Sequence, residues 1–121
     1  MREFEFINHY LRARCHLDDR LLLGIGDDAA TIRADQNHCW HISTDMLLEN
    51  QHFFSWDDAQ TIAYRSLASN FSDMAAMGAK ARWVLLSLAT PSLKKSWLDK
   101  FFTTFFALLD RYRVQLIGGD T

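Results

Sequence analysis

The chain has 121 residues, 49% hydrophobic and 23% charged, a globular balance that excludes a disordered polar chain. Thirteen Lys and Arg stand against fifteen Asp and Glu, and a net charge of -2 argues against a polycationic binder of nucleic acid or membrane surfaces. The N-terminus lacks the cationic stretch and apolar core of a secretory signal, and no apolar run approaches the ~20 residues of a membrane span. The expected compartment is the cytoplasm, with Cys15 and Cys39 as two reduced, partly buried thiols lacking any CxxC pattern.

Taken in chain order, Phe4, Ile7, Tyr10 and Leu11 fall at helical spacing, predicting an amphipathic helix over Glu3 to Arg14. Leu21-Leu22-Leu23 is a short apolar run that leads into the loop chemistry of Gly24-Ile25-Gly26-Asp27-Asp28. Ala29 to Arg33 and Cys39 to Thr44 read as strands, the second running into Asp45. A helix follows from about Asp57 to Met77, with Ile62, Ala63, Leu67, Phe71, Met74 and Ala75 as its apolar stripe. Ser55 or Asp57 can cap its start and Gly78 can end it. Trp83 to Ala89 reads as a buried strand, and Ser92 or Ser96 opens a second long helix to about Tyr112. Val114 to Ile117 is a final short strand, and Gly118-Gly119-Asp120-Thr121 reads as a polar loop after it.

Strands joined through long helices predict an α+β fold: a mixed or antiparallel sheet with helices on one face. No repeat or second-domain boundary interrupts the 121 residues. The other face of such an apolar sheet needs a cover, and a second copy of the chain supplies it, so a homodimer is expected.

Several acids sit where a short side chain can point from a rigid element into a cleft. Asp27 and Asp28 follow a glycine turn, Asp45 ends a strand after Ser43 and Thr44, Asp73 follows Asn70 on a helix face, and Asp120 follows Gly118-Gly119. Each has a plainer reading alone, as a turn, a helix cap or a solvated helix residue. Their recurrence at four element ends suits Mg²⁺, which takes oxygen ligands and bridges to phosphates, while glycines admit phosphate oxygens to backbone N–H groups. There is no GxxxxGK[ST] or GxGxxG motif, no Ser-His-Asp or Cys-His arrangement, and hence no candidate nucleophile. His52, beside Phe53 and Phe54, can contact an anionic ligand or be a surface histidine; Phe102 belongs to an aromatic group that reads as core.

The segments Gly24-Ile25-Gly26-Asp27-Asp28-Ala29-Ala30, Ser43-Thr44-Asp45-Met46-Leu47, His52-Phe53, Asn70 to Ala79 and Gly118-Gly119-Asp120-Thr121 together resemble bacterial thiamine-monophosphate kinase. They stand in that family's order and spacing, and the resemblance covers the family's N-terminal portion. It implies a fold like the N-terminal domain of aminoimidazole ribonucleotide synthetase, pairing through its sheet into a dimer, with ATP and several Mg²⁺ ions beside it. Residues 1–121 then form the ATP- and Mg²⁺-binding, dimerising domain, without the family's C-terminal domain and its further phosphate, metal and thiamine contacts.

The implied reaction converts ATP and thiamine phosphate to ADP and thiamine diphosphate. The implied metal ligands are Asp28, Ser43, Thr44, Asp45, Asp73 and Asp120, with Asp27 as a further candidate. Gly119 and Asp120 match a nucleotide-contacting pair, Phe102 an aromatic near the nucleotide, and His52 a substrate-contacting histidine. Where relatives carry a glycine and an apolar residue before that histidine, this chain has Asn50 and Gln51. The acceptor is an anionic phosphate oxygen, so direct in-line transfer by positioning and electrostatics needs no strong base and no phosphoenzyme. Two alternatives stand beside this: another ATP-dependent synthetase of the same superfamily, and a non-catalytic dimerising module that binds Mg²⁺ or nucleotide.

Overall fold

The computed structural model describes residues 1–121. The chain divides into two compact units, one of Met1–Thr44 with Asp73–Ala79 and one of Asp45–Ser72 with Lys80–Thr121.

The first unit opens on a helical stretch that changes pitch. An α-turn, α1 (Glu3–Phe6), passes into a wider π-wound segment at Ile7–Leu11 and a tight 3₁₀ turn at Arg12–Arg14. The predicted stretch is therefore helical throughout, but Phe4, Tyr10 and Leu11 remain exposed. Three short strands follow, β1 (Leu21–Leu23), β2 (Ala30–Arg33) and β3 (Cys39–Ile42), in an antiparallel sheet of order β1-β2-β3. The register is Ala30 with Ile42, Thr31 with His41, Ile32 with Trp40 and Arg33 with Cys39. Thr31, the one buried polar residue, is satisfied across the sheet by His41 Nδ1 at 2.9 Å. Neither cysteine is bonded, with Cys15 half-buried and Cys39 exposed rather than partly buried, because its strand lies open to solvent there.

The second unit carries the core. Helix α2 (Ala59–Ala76) contributes Ala59, Ile62, Ala63 and Leu67; α3 (Lys95–Tyr112) contributes Phe101, Phe105 and Leu109; Val114 completes the set. Phe101, Phe105 and Leu109 recur every four residues, on one helical stripe, and are 3%, 2% and 1% exposed. Each such burial contributes about 1.5–3 kcal/mol. Strands β4 (Trp83–Ser87) and β5 (Gln115–Asp120) pair in parallel. Val84, Leu86 and Leu116 pack against the helical core, whereas Leu85 and Ile117 on the alternate positions are exposed. In this unit the helices thus cover one face of the sheet, as predicted.

Three local predictions are corrected. Neither Ser92 nor Ser96 opens α3, which starts after Lys94, an extended residue whose side chain makes no cap bond. Neither Ser55 nor Asp57 caps α2: Asp58 does, its Oδ1 accepting the Thr61 N–H at 2.6 Å, because it stands immediately before the helix with Thr61 at the third position. Asp57 instead accepts from the Phe54 N–H at 2.7 Å. Nor is Gly118-Gly119-Asp120 a loop: β5 continues through it, with Gly118, Gly119 and Asp120 in register with Leu85, Leu86 and Ser87. Backbone pairing to a neighbouring strand outweighs the weak intrinsic strand preference of glycine.

Candidate functional site

The first unit brings two of the expected ligands together. β3 ends at Ile42 and delivers Ser43 and Thr44, while the last turn of α2 delivers Asp73. Ser43 Oγ donates to Asp73 Oδ2 at 3.1 Å, across a sequence separation of 30 residues. Asp73 is held at the end of a well-terminated helix. Gly78, at φ 66°, occupies the left-handed position that closes α2. Its N–H bonds Ala75 O at 3.0 Å, and the Ala79 N–H bonds Met74 O at 2.9 Å. The same unit holds Asp27 and Asp28 in an exposed turn between β1 and β2. Asp27 Oδ1 accepts the Asp28 N–H at 2.8 Å, so one oxygen of Asp27 serves the backbone of the next residue. The Asp28 carboxylate has no partner within the chain and stands free for a ligand. Thr44 is also exposed.

The second unit holds the remaining expected residues. Asp45 is exposed. Gly119 and Asp120 lie on β5, where the Asp120 carbonyl accepts the Leu88 N–H at 2.9 Å and its Oδ1 accepts the Thr121 N–H at 2.9 Å. Gly119 sits at φ 153°, and a Cβ there would overlap the carbonyl oxygen of Leu86. The position therefore requires glycine, and the strand approaches its neighbour more closely than a side chain permits. Phe102 is half-buried, edge-on to Phe101 at 5.1 Å and to Phe105 at 6.0 Å, and so forms part of the aromatic core margin.

His52 sits on a tight turn. Asn50 adopts φ 64°. The Asn50 N–H bonds Phe53 O at 2.6 Å, and the N–H groups of Gln51 and His52 bond Leu48 O at 3.1 and 2.8 Å. The His52 ring folds back so that Nδ1 accepts the Leu48 N–H at 2.8 Å. Arg65 from α2 reaches the His52 carbonyl at 3.4 Å and pairs with Asp57 at 3.6 Å, fastening the turn to the helix. Sequence reasoning missed this arrangement. Its one available signal was Asn50 itself, since asparagine enters the left-handed region more readily than other non-glycine residues.

No group of three or more His, Cys, Asp or Glu gathers into a metal cage. Mg²⁺ does not require one, because it usually keeps several waters and is held through one or two carboxylates plus substrate phosphates. The hydroxyl–carboxylate pair of Ser43 and Asp73 and the unengaged carboxylate of Asp28 are hard oxygen donors of that kind. No helix is long and apolar enough to cross a membrane.

Comparison with known proteins agrees with the motif reading. A thiamine-monophosphate kinase of Buchnera aphidicola (from Acyrthosiphon pisum) is 43% identical over 98% of this chain and 37% of its own length. The crystal structure of thiamine-monophosphate kinase from Stenotrophomonas maltophilia is 40% identical, with a TM-score of 0.66 over 100% of this chain and 38% of its own. AaThiL complexed with AMPPCP and TMP is 26% identical, with a TM-score of 0.72 over 79% of this chain and 31% of its own. The chain spans about 37% of the length of the curated relatives it matches. The family model of AIR synthase related protein, N-terminal domain, matches residues 26–121. With four-fifths of its length so matched and its α+β fold shared with solved relatives, the chain belongs to the AIR synthase related family, as an N-terminal domain of it.

Proposed function

We propose that this chain forms the ATP- and Mg²⁺-binding part of a thiamine-phosphate kinase, which converts ATP and thiamine phosphate to ADP and thiamine diphosphate. The observation that carries the reading is the hydrogen bond from Ser43 to Asp73 at 3.1 Å, which joins two of the five motifs that resemble this kinase family. Relatives named thiamine-monophosphate kinase at 40–43% identity, and a related structure complexed with AMPPCP and TMP, support the choice of substrates.

In the proposed reaction an oxygen of the acceptor phosphate attacks the γ-phosphorus of ATP. The bond from that phosphorus to the β–γ bridging oxygen breaks, and ADP departs. Bound Mg²⁺ would neutralise the two polyanions that must meet. Asp28, Ser43, Thr44, Asp45, Asp73 and Asp120 are the oxygen donors assigned to it, with Asp27 as a further one. Gly119 and Asp120 are assigned to the nucleotide, and Phe102 to its base. His52 is assigned to the acceptor phosphate. No side chain is assigned as nucleophile or base, because the attacking oxygen is already anionic near neutral pH.

The exposed Leu85 and Ile117 on the open sheet face support a homodimer formed through that face, since exposed apolar sheet surface favours a partner. A cytoplasmic enzyme is the compartment that fits free thiols.

The test is formation of thiamine diphosphate by the protein containing this chain, followed chromatographically with ATP, Mg²⁺ and thiamine phosphate. Transfer to thiamine phosphate is expected, with no phosphorylated protein trapped. Turnover with other phosphate or amide acceptors only would favour a synthetase of the same superfamily. Nucleotide binding without any turnover would favour a non-catalytic module.

A further inference from the structure

The Leu48–Phe53 turn fixes not only where the His52 ring lies but which of its nitrogens carries the proton. A backbone N–H can only donate, so the 2.8 Å contact between the Leu48 N–H and Nδ1 makes Nδ1 the acceptor. A neutral imidazole that accepts at Nδ1 carries its hydrogen on Nε2. Nε2 has no partner within the chain, and the residue is exposed. The turn is closed by hydrogen bonds at Asn50, Gln51 and His52, and anchored to α2 through Arg65. It is therefore a fixed arm that presents one N–H donor outward. Asn50 makes this geometry possible, because its φ of 64° reverses the chain between Leu48 and His52.

We infer that His52 meets its ligand as a neutral Nε2–H donor to a phosphoryl oxygen, and that Asn50 is a positioning residue that sets this donor through the Leu48 amide. The ligand half of this inference rests on the kinase reading above; the tautomer half does not. A donor of this kind suits an acceptor-only anionic oxygen and excludes Nδ1 as a proton acceptor from substrate while the Leu48 bond is made.

The test combines nitrogen-15 NMR of the histidine rings, at a pH where His52 is neutral, with binding measurements on the same protein. Nδ1 of His52 is expected to give a pyridine-like signal and Nε2 a protonated one, and a protonated Nδ1 would overturn the assignment. Thiamine phosphate is expected to shift the Nε2–H signal, and a non-hydrolysable ATP analogue with Mg²⁺ is not. A shift with the ATP analogue alone would uphold the donor and overturn the acceptor assignment of His52. H52Q, whose amide nitrogen reaches the Nε2 position, is expected to bind thiamine phosphate within a few-fold of wild type. H52N, whose nitrogen reaches only the Nδ1 position, is expected to lose at least about tenfold. Equal loss in both would overturn the donor role while leaving the kinase reading intact. N50G is expected to keep both tautomer and affinity, since glycine takes the same backbone angles. N50V is expected to mix the tautomers and weaken binding, with an unchanged circular dichroism spectrum. An unchanged ring spectrum in N50V would overturn the positioning role. A wild type that binds neither phosphate compound would overturn the ligand half together with the kinase reading, and the ring spectrum would still decide the tautomer.

Discussion

Ser43 Oγ donates to Asp73 Oδ2 at 3.1 Å, linking the residue after β3 to the last turn of α2. This bond orients a carboxylate without neutralising it, because a hydroxyl donates one hydrogen and leaves the second oxygen and the full charge in place. That is the state a divalent cation needs in a ligand. S43A is expected to lower stability by about 1 kcal/mol and to weaken Mg²⁺-dependent nucleotide binding several-fold. D73N, which keeps the shape and removes the charge, is expected to weaken it by more than about tenfold. Calorimetric titration of the nucleotide at varied Mg²⁺ checks both, and unchanged Mg²⁺ dependence in D73N would remove Asp73 from the ligand set.

Gly119 cannot carry a side chain, since a Cβ would overlap the Leu86 carbonyl oxygen and φ stands at 153°. G119A is expected to cost at least about 2 kcal/mol, by forcing β5 away from β4 or straining the backbone. Urea denaturation measures the loss, and a variant as stable as wild type would contradict the close approach of the two strands.

The Asp58 carboxyl is held below the usual aspartate range, first by the Thr61 backbone N–H and then by the Thr61 hydroxyl; desolvation opposes them, and Lys100 adds the weakest attraction. Its folded-state value is lower than its unfolded value of about 3.9. The stability it contributes is therefore fully present above that unfolded value, and it is lost as pH falls through the lower folded one. D58N keeps a competent cap and removes the titration, so wild type is expected to lose stability more steeply than D58N below about pH 4. D58A is expected to melt a few degrees lower at neutral pH. Thermal melts of the three proteins between pH 3 and 7 check the sign.

Arg113 closes α3 in the left-handed conformation, at φ 56° and ψ 43°, where glycine is the usual residue. The cap hydrogen bonds to Leu109 and Asp110 are made by its backbone, so R113G keeps them while relieving the strain on a residue with a Cβ. A gain of about 0.5–1 kcal/mol is expected after the greater chain entropy of glycine is counted. A destabilised R113G would mean that the arginine side chain does more than its exposed position suggests.

Most of the elements, and much of the core, were legible from local pattern alone. Helical spacing of Ile62, Ala63 and Leu67 marked the buried face of α2, and the apolar run from Trp83 marked the strand β4, although only Val84 and Leu86 of it pack against the core while Leu85 is exposed. Both signals are local, because helix and strand periods are set by backbone geometry within a few residues. Gly78 as the end of α2 was legible for the same reason. The motifs that carry the family resemblance, from Gly24 to Thr121, could likewise be named without coordinates, and residues 26–121 match the family.

Only the tertiary structure decided what joins what. The bond of Ser43 to Asp73 spans a loop and a helix, and no periodicity reports a contact across 30 residues. The strand character of Gly118-Gly119-Asp120 comes from pairing with Leu85, Leu86 and Ser87, against the local preference of glycine. The proton on Nε2 of His52 follows from one backbone N–H that a left-handed Asn50 folds into place. Local sequence encodes backbone period and burial; which hydrogen-bond partner a side chain finds is fixed by the folded backbone, across 30 residues for Asp73 and across four for His52.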